Sequence, residues 1–286
     1  MSADTLAAES TASLRVERSP GHLGEHVSEV VLTGPGKGNA LGPDFWRDIP
    51  AVFARLDADP SVRVVLIRGS GSCFTYGLDL PAMLGGGLPG LLKDAPSVAD
   101  RAALLDKIRQ MQGSLTAVEA CRKPVVAAVH GWCIGGGVGL IAACDVRLCS
   151  ADARFSVREV RLAIVPDIGP IQRLPRIIGE GMTRRLAMTG EDFDSARAER
   201  IGLVSDVYPD EGSLLAAARD LCGVLAGNSP LAVQGTKQIL NASRDLPQGA
   251  SLEHVAVWNS AFLPSGDLRE AVTAFMEKRQ PRFQGT

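Results

Sequence analysis

The pattern of apolar residues in this chain changes once, and that change constrains the fold more than any other feature. In the first part, compact apolar runs such as Val62–Ile67 and Pro124–Val129 alternate with segments of helical spacing such as Pro43–Leu56. Strands that alternate with helices are typical of parallel βαβ units. In the last part, several segments of helical spacing follow one another with no strand between them. The sequence therefore predicts an α/β core over residues 13–210 and a helical segment over 211–286.

The separate segments are assigned by the same spacing rules. Strands are predicted at Leu14–Glu17, Val27–Leu32, Val62–Ile67, Pro124–Val129, Val146–Cys149 and Arg154–Val157. Helices are predicted at Pro43–Leu56, Arg101–Ala120, Leu214–Leu225, Pro230–Ser243, Ser251–Phe262 and Leu268–Lys278. The Gly- and Pro-rich stretch Gly85–Ser97 is predicted to be a mobile connection, and Ser19–Gly21 is predicted to be a hairpin turn.

Composition excludes several classes of protein. With 45% hydrophobic residues and a formal net charge of −2, the chain can form a core and carries no basic footprint for nucleic acid. It contains no apolar run long enough to predict a membrane span. Residues 1–12 are small and polar, include acids and lack the apolar region of a signal peptide, so we predict a disordered N-terminus. We expect a cytoplasmic protein.

The cysteines and histidines do not indicate a metal site. No two cysteines have the close spacing of zinc ligands, and the four histidines form no HExxH motif. Most of the six cysteines lie in apolar runs, so we predict reduced, buried thiols. They are Cys73, Cys121, Cys133, Cys144, Cys149 and Cys222.

Two glycine-bearing turns, Cys73–Asp79 and His130–Gly139, each follow a predicted buried strand. Glycine lets the backbone approach a ligand closely and adopt positive φ. A helix that begins just after Gly135 would present free N–H groups, which suit a phosphate or a developing oxyanion. A dinucleotide fingerprint fails on the letters, since Leu140 stands where the last glycine is needed. Neither a P-loop nor a G-x-S-x-G elbow occurs. A plain tight connection remains an alternative for either turn.

Two carboxylates, Glu159 and Asp167, lie in an otherwise apolar stretch. Two carboxyl groups in one apolar pocket can be held in different protonation states, as general acid–base catalysis requires. The alternative for Glu159 is a surface ion pair with Arg158 or Arg161. The alternative for Asp167 is a cap for the helix near Pro170. Spacing alone leaves these alternatives open.

Four ordered motifs together resemble the crotonase (enoyl-CoA hydratase/isomerase) superfamily, and the dienoyl-CoA isomerase branch most closely. They are Phe74–Leu80, Lys123–Gly137, Phe155–Val160 and Gln172–Pro175. The resemblance covers about residues 13 to 284. It implies an α/β fold, a crotonase-like spiral of repeated ββα units with a helical C-terminal segment that forms a trimer, sometimes doubled to a hexamer. It also implies an acyl-CoA substrate. Coenzyme A is part of that substrate, so the resemblance implies no separate cofactor and no metal.

The resemblance also implies roles for single residues. The backbone N–H groups of Leu78 and Gly136 would form the oxyanion hole, and Glu159 and Asp167 would be the catalytic carboxylates. Lys278 would reach a CoA phosphate from a neighbouring subunit. The other implied substrate contacts are Lys37, Ala40, Tyr76, Asp79, Leu80, Trp132 and Gly135.

The chain departs from the family pattern at two positions. Gly139 stands where the family's hydratases have a glutamate and its dienoyl-CoA isomerases an aspartate, and glycine can neither exchange a proton nor orient a water. Tyr76 stands where the family usually has a small residue. Because Glu159 and Asp167 can still serve the two ends of a moving double bond, we expect isomerisation of unsaturated acyl-CoA. The alternatives are enoyl-CoA hydration through Glu159 and a non-catalytic acyl-CoA-binding trimer.

Overall fold

The computed structural model describes residues 9–20 and 24–286. Its strands are β1 (Glu9–Ser10), β2 (Leu14–Arg18), β3 (Val27–Leu32), β4 (Val64–Gly69), β5 (Val125–Val129), β6 (Trp132–Ile134), β7 (Val146–Ser150), β8 (Arg154–Ser156), β9 (Asp192–Asp194) and β10 (Asp206–Tyr208). Its helices in the core are α1 (Pro43–Ala58), α2 (Leu80–Ala82), α3 (Val98–Ala120), α4 (Gly136–Ala142), α5 (Pro170–Ile178), α6 (Glu180–Thr189) and α7 (Ser195–Arg200). Four more helices follow, α8 (Glu211–Gly227), α9 (Pro230–Ser243), α10 (Gln248–Phe262) and α11 (Gly266–Glu277).

The strands of the described residues form two sheets. The larger sheet has the order β1-β2-β3-β4-β5-β7-β10, antiparallel from β1 to β3 and parallel from β3 to β10. The smaller sheet has the order β6-β8-β9, with β6 and β8 parallel. Strands β5 and β6 are separated only by the turn at His130–Gly131, so the chain passes directly from one sheet to the other. This crossing positions the second glycine-bearing turn.

The parallel strands are covered on both faces, which is why they read as continuous apolar runs. On β4, Val65 and Ile67 face the larger core cluster, whereas Val64 and Leu66 face α8. Helix α1 begins with a proline in its first turn and buries one face that includes Trp46. Helix α3 begins with a capping box between Ser97 and Asp100. The sequence signals for these elements and the tertiary packing therefore agree.

The last helices leave much apolar surface uncovered in one chain. Helix α10 has no buried residue, although it carries Leu252, Val257 and Phe262. On α11, Phe275 and Met276 are 81% and 75% exposed. Apolar surface of this extent is typical of an interface rather than of a solvated tail.

Most of the predicted elements are confirmed within a few residues at their ends. The N-terminal prediction needs a correction, because Glu9–Ser10 pairs with β2 through the register Glu9 to Val16, so the disordered segment does not extend over residues 9–12. Residues 1–8, and Gly21 of the predicted hairpin turn, lie outside the described residues.

Two further expectations concern side chains and membranes. All six cysteines are buried, as predicted. Among the residues that the structure describes, no cluster of possible metal ligands occurs. In the same part of the chain, no helix is both long and apolar enough to cross a bilayer.

Candidate active site

The first glycine-bearing turn leaves the amide of Leu78 between two backbone hydrogen bonds. The N–H of Leu41 donates to the carbonyl of Gly77 (2.8 Å), and the N–H of Asp79 donates to the carbonyl of Leu41 (3.2 Å). These bonds hold the backbone on either side of Leu78, and no hydrogen bond of the described residues uses the N–H of Leu78 itself. The turn therefore presents a free donor.

The second turn approaches the first at van der Waals distance. Gly77 has φ of 83°, and a Cβ at that position would lie 2.6 Å from the carbonyl oxygen of Ile134 and 3.6 Å from the amide nitrogen of Gly136. Gly135 has φ of 52° and donates its N–H to the carbonyl of Ser156 (2.8 Å). Gly136 is the first residue of α4, so its own N–H has no partner within the helix. Two free amides thus lie side by side, the arrangement of an oxyanion hole.

Asn39 holds the loop before Leu41 against the first glycine-bearing turn. Its amide nitrogen donates to the carbonyls of Ser70 and Cys73, both at 2.8 Å, and its own carbonyl accepts from the hydroxyl of Thr75 (2.7 Å). Asn39 has φ of 47°, a left-handed conformation that asparagine tolerates better than most residues. Sequence reasoning missed Asn39. The available signal was an asparagine next to a glycine in a loop, which marks a turn but not its partners.

Glu159 lies directly over the second turn. Its Oε1 is 3.5 Å from the position that a Cβ of Gly135 would occupy, and neither carboxylate oxygen has a hydrogen-bond partner in the described part of the chain. Burial raises the pKa of Glu159, and the charge of Asp167 raises it further. The alternative of an ion pair is wrong, because Arg158 and Arg161 both face Asp192, at 2.6 and 4.0 Å.

Asp167 precedes Ile168, whose side chain lies against Gly136 and Gly139. Burial raises the pKa of its carboxyl group. Its main-chain carbonyl accepts from the amide of Gln112 on α3 (2.6 Å). The capping alternative is wrong, because the residue that caps α5 is Gly169 and no side chain bonds to the first turn of that helix. Asp167 also lines a cavity of about 890 Å³ between α3, α5 and α9.

The wall beside these groups is apolar. A Cβ on Gly136 would lie 3.3 Å from both Leu41 Cδ1 and Ile168 Cδ1. A Cβ on Gly139 would lie 3.1 Å from Leu115 Cδ1 and 3.7 Å from Ile168. Leu115 and Ile168 are both buried. The position of the missing family carboxylate is therefore packed against hydrocarbon, which explains how the chain accommodates glycine there.

This combination of fold, paired amides and carboxylates can be compared with known proteins. The family described as enoyl-CoA hydratase/isomerase matches residues 23–286. The chain belongs to the enoyl-CoA hydratase/isomerase family. It is therefore an enzyme of the crotonase superfamily, as the four motifs predicted.

Individual members of the family resemble the chain over nearly its whole length. A mitochondrial Delta(3,5)-Delta(2,4)-dienoyl-CoA isomerase of Dictyostelium discoideum is 43% identical over 95% of this chain and 91% of that protein. A peroxisomal protein of the same name from Arabidopsis thaliana is 44% identical over 90% of this chain and 92% of that protein. The crystal structure of a putative enoyl-CoA hydratase from Streptomyces coelicolor A3(2) is 34% identical, covers both chains fully and superposes with a TM-score of 0.86.

Several of the family positions predicted as substrate contacts lie around the two turns. Gly135 forms the second turn, and Ala40 follows Asn39 in the loop held against the first. Tyr76 donates its N–H to the carbonyl of Gly38 (2.8 Å), its ring lies beside that glycine, and the residue is 47% exposed. Lys37 belongs to the short turn Gly36–Gly38, and its side chain lies outside the described residues.

The remaining residues that were predicted to contact substrate have other structural roles or surroundings within the single chain. Asp79 accepts from the N–H of Ala82 (3.1 Å) and caps α2, which begins at Leu80. Trp132 lines a different cavity, of about 510 Å³, and lies under the guanidinium of Arg158 at 5.5 Å. Lys278 ends α11 in a left-handed conformation, with φ of 54°. The roles of these residues toward substrate stay predictions.

Proposed function

We propose that this enzyme moves two conjugated double bonds of an acyl-CoA thioester from the 3,5 to the 2,4 positions, the reaction for which its dienoyl-CoA isomerase relatives are named. The observation that carries the proposal is the pair of carboxyl groups at Glu159 and Asp167. Burial raises the pKa of both, and neither is paired with a cation among the described residues. Glu159 lies beside the second glycine-bearing turn, and Asp167 is close enough for its charge to raise the pKa of Glu159.

The reaction requires a base and an acid at separate carbons. When the double bonds move from C3 and C5 to C2 and C4, C2 loses a proton and C6 gains one. The electron pair of the broken C2–H bond shifts along the conjugated chain to C6, and the thioester oxygen carries much of the negative charge in between. One carboxylate accepts the proton from C2, and the other carboxyl group donates a proton to C6.

The two amides stabilise the intermediate charge. The N–H groups of Leu78 and Gly136 have no partner among the described residues and belong to two turns in contact, so both can donate to the oxygen of the trienolate. One such preorganised donor typically lowers the barrier by about 2.7–4 kcal/mol. The apolar wall of Leu41, Leu115 and Ile168 strengthens this interaction, because it lowers the local dielectric constant.

The raised pKa values match these roles. A carboxylate in an apolar site is a stronger base, and a carboxyl group that stays protonated near neutral pH can act as an acid. Because the charge of Asp167 raises the pKa of Glu159, ionisation of one group favours protonation of the other. The proposed reaction begins with one ionised and one protonated carboxyl group, and a raised pKa favours the protonated one.

Hydration of a 2-enoyl-CoA is the second candidate, since the similar Streptomyces coelicolor protein is described as a putative enoyl-CoA hydratase. Addition of water requires that the water be held and deprotonated beside the double bond. The atoms nearest to a Cβ at position 139 belong to Leu115 and Ile168, whose side chains offer no hydrogen bond. This packing favours isomerisation over hydration.

The test is a panel of 3,5-dienoyl-, 3-enoyl- and 2-enoyl-CoA thioesters. We expect a change of absorbance without gain of mass for the 3,5-dienoyl substrate, measured by spectrophotometry and mass spectrometry. The Asp167→Asn variant serves as the matched control for contaminating activity. Addition of water to 2-enoyl-CoA is seen as a mass gain of one water. If this is the fastest reaction of the panel, the hydratase function is assigned instead. Binding of every thioester without turnover would assign a non-catalytic role.

Assembly and location belong to the same proposal. The exposed apolar faces of α10 and α11 support a homotrimer or hexamer, in which Lys278 of one subunit contacts the CoA of the next. The coenzyme A moiety enters with the substrate, so no separate cofactor is required. The cytoplasmic location expected from the N-terminal residues gains no support from the relatives, which are named mitochondrial and peroxisomal.

A further inference from the structure

The two carboxyl groups of the site differ in their access to solvent. Both carboxylate oxygens of Glu159 are shielded from solvent, without a partner among the described residues. Asp167 instead lines the 890 Å³ cavity between α3, α5 and α9, to which Glu159 does not contribute. Gln112, Thr116 and Asp245 also line this cavity and are exposed, so it opens to the surface.

This difference has a consequence for proton balance during isomerisation. One carboxylate receives a proton from the substrate, and the other carboxyl group gives its proton to the product. Substrate and product have the same composition, so the enzyme keeps its number of protons but ends with one on the wrong carboxyl group. Before the next turnover in the same direction, that proton must pass to the other group or exchange with water.

The cavity at Asp167 has walls that suit a chain of waters. Its lining includes Gln112, Thr116, Gln172 and Asn241, together with a cluster in which Glu119 accepts from Arg173 at 2.7 Å. Polar groups of this number can hold ordered water, whereas an apolar cavity stays dry. The surroundings of Gly139 differ, because Leu115 and Ile168 occupy the space there.

We propose that Asp167 exchanges its proton with bulk water through this cavity while the thioester is bound, and that Glu159 does not. Between turnovers the proton then passes between Glu159 and Asp167, and only Asp167 exchanges it with bulk water. Gln112 acts as a positioning residue, since its amide holds the main chain of Asp167 at the polar wall (2.6 Å). This inference rests on the isomerase function proposed above.

Deuterium wash-in tests the proposal in both directions of the reaction. The full-length enzyme is incubated in D₂O with the 3,5-dienoyl-CoA and, separately, with the 2,4-dienoyl-CoA, and the recovered starting thioester is analysed by mass spectrometry at early times. The first exchanges at C2 and the second at C6, and enzyme-free samples correct for spontaneous exchange. We expect deuterium to enter ahead of conversion in one direction only, the one whose carbon faces Asp167.

Equal wash-in in both directions, or none in either, would overturn the proposal while leaving the isomerase function intact. Failure to interconvert the two thioesters would instead refute the isomerase function. The two failures are therefore distinguishable.

A pair of variants on α3 makes the test specific to the cavity. Gln112→Leu replaces the amide beside Asp167 by an apolar side chain, and Gln110→Leu makes the same change at an exposed residue that does not line the cavity. We expect Gln112→Leu to lower the ratio of wash-in to conversion by about tenfold, the usual effect of one lost polar contact. A purely structural role of Gln112 would slow both processes equally, and an unchanged ratio, or an equal fall in Gln110→Leu, would overturn the proposal.

Discussion

Asp167 is the residue whose mutation distinguishes isomerisation from hydration. Its side chain caps no helix, so a change of its carboxyl to an amide removes proton transfer and little else. We predict that Asp167→Asn lowers isomerisation by about 10² to 10⁴, the usual effect of a positioned acid or base. Because burial also raises the pKa of Asp167, the melting temperature at neutral pH should not fall below that of the parent. Activity within a few-fold of the parent, measured as initial rates, would remove Asp167 from the mechanism.

Glu159 lends itself to a prediction about stability rather than turnover. Burial raises its pKa, so the unfolded chain ionises at lower pH than the folded one, and the folded state loses stability as pH rises through the interval between the two values. Glu159→Gln carries no charge and escapes this loss. We therefore expect the variant to unfold at higher temperature than the parent at neutral pH, with the difference fading below the ordinary pKa of a glutamate. Equal melting temperatures across this pH range would show that the carboxylate is solvated.

Single residues also show where sequence reasoning reaches its limit. The pattern placed Glu159 and Asp167 in an apolar stretch but could not exclude an ion pair or a cap, since both depend on where Asp192 and Gly169 lie in three dimensions. The structure decides both questions through contacts across the fold. Asn39 was missed for the same reason, because its partners Ser70 and Cys73 are brought to it only by the fold.

At the scale of elements, the start of α4 supplies the most direct test of the oxyanion hole. Gly136 is the first residue of that helix, the position at which proline is best tolerated because its missing N–H has no helical partner there. Gly136→Pro removes the N–H of this residue. Gly136→Ala keeps the N–H and adds a Cβ that contacts Leu41 and Ile168. We predict at least about a hundredfold lower turnover in the proline variant than in the alanine variant. Equal turnover in the two variants would show that this amide does not bind the thioester oxygen.

Most elements could be predicted because local sequence and tertiary packing agree in them. The strand β5 consists entirely of apolar residues and is buried throughout. Helix α1 begins with a proline and buries one regular face. The segment Glu9–Ser10 could not be predicted, since two polar residues form a strand only because β2 offers an open edge. The turn at Met83–Gly87, with Gly86 at φ of 138°, likewise has no periodic signal.

At the scale of the whole molecule, the uncovered apolar surface is concentrated on the last helices. The sequence predicts helices there, and the structure shows which of their apolar residues the single chain leaves exposed, including Phe262, Leu263 and Phe275. The identity of the covering surface cannot be read from one chain, because local patterns record burial but not the partner that provides it.

This surface indicates an interface, and the resemblance to the family implies that the interface closes a threefold assembly in solution, as a trimer or hexamer. Phe275→Asp places a charge on the exposed face of α11, so burial in an interface would leave that charge unpaired and weaken the assembly. Leu92→Asp makes a similar change at another exposed residue, outside the C-terminal helices, and should leave the mass unchanged. Sedimentation analysis at micromolar concentration checks both variants and the parent. A monomeric parent would refute the assembly. It would also refute the contact of Lys278 with the CoA of a neighbouring subunit, because no neighbouring subunit would then be present.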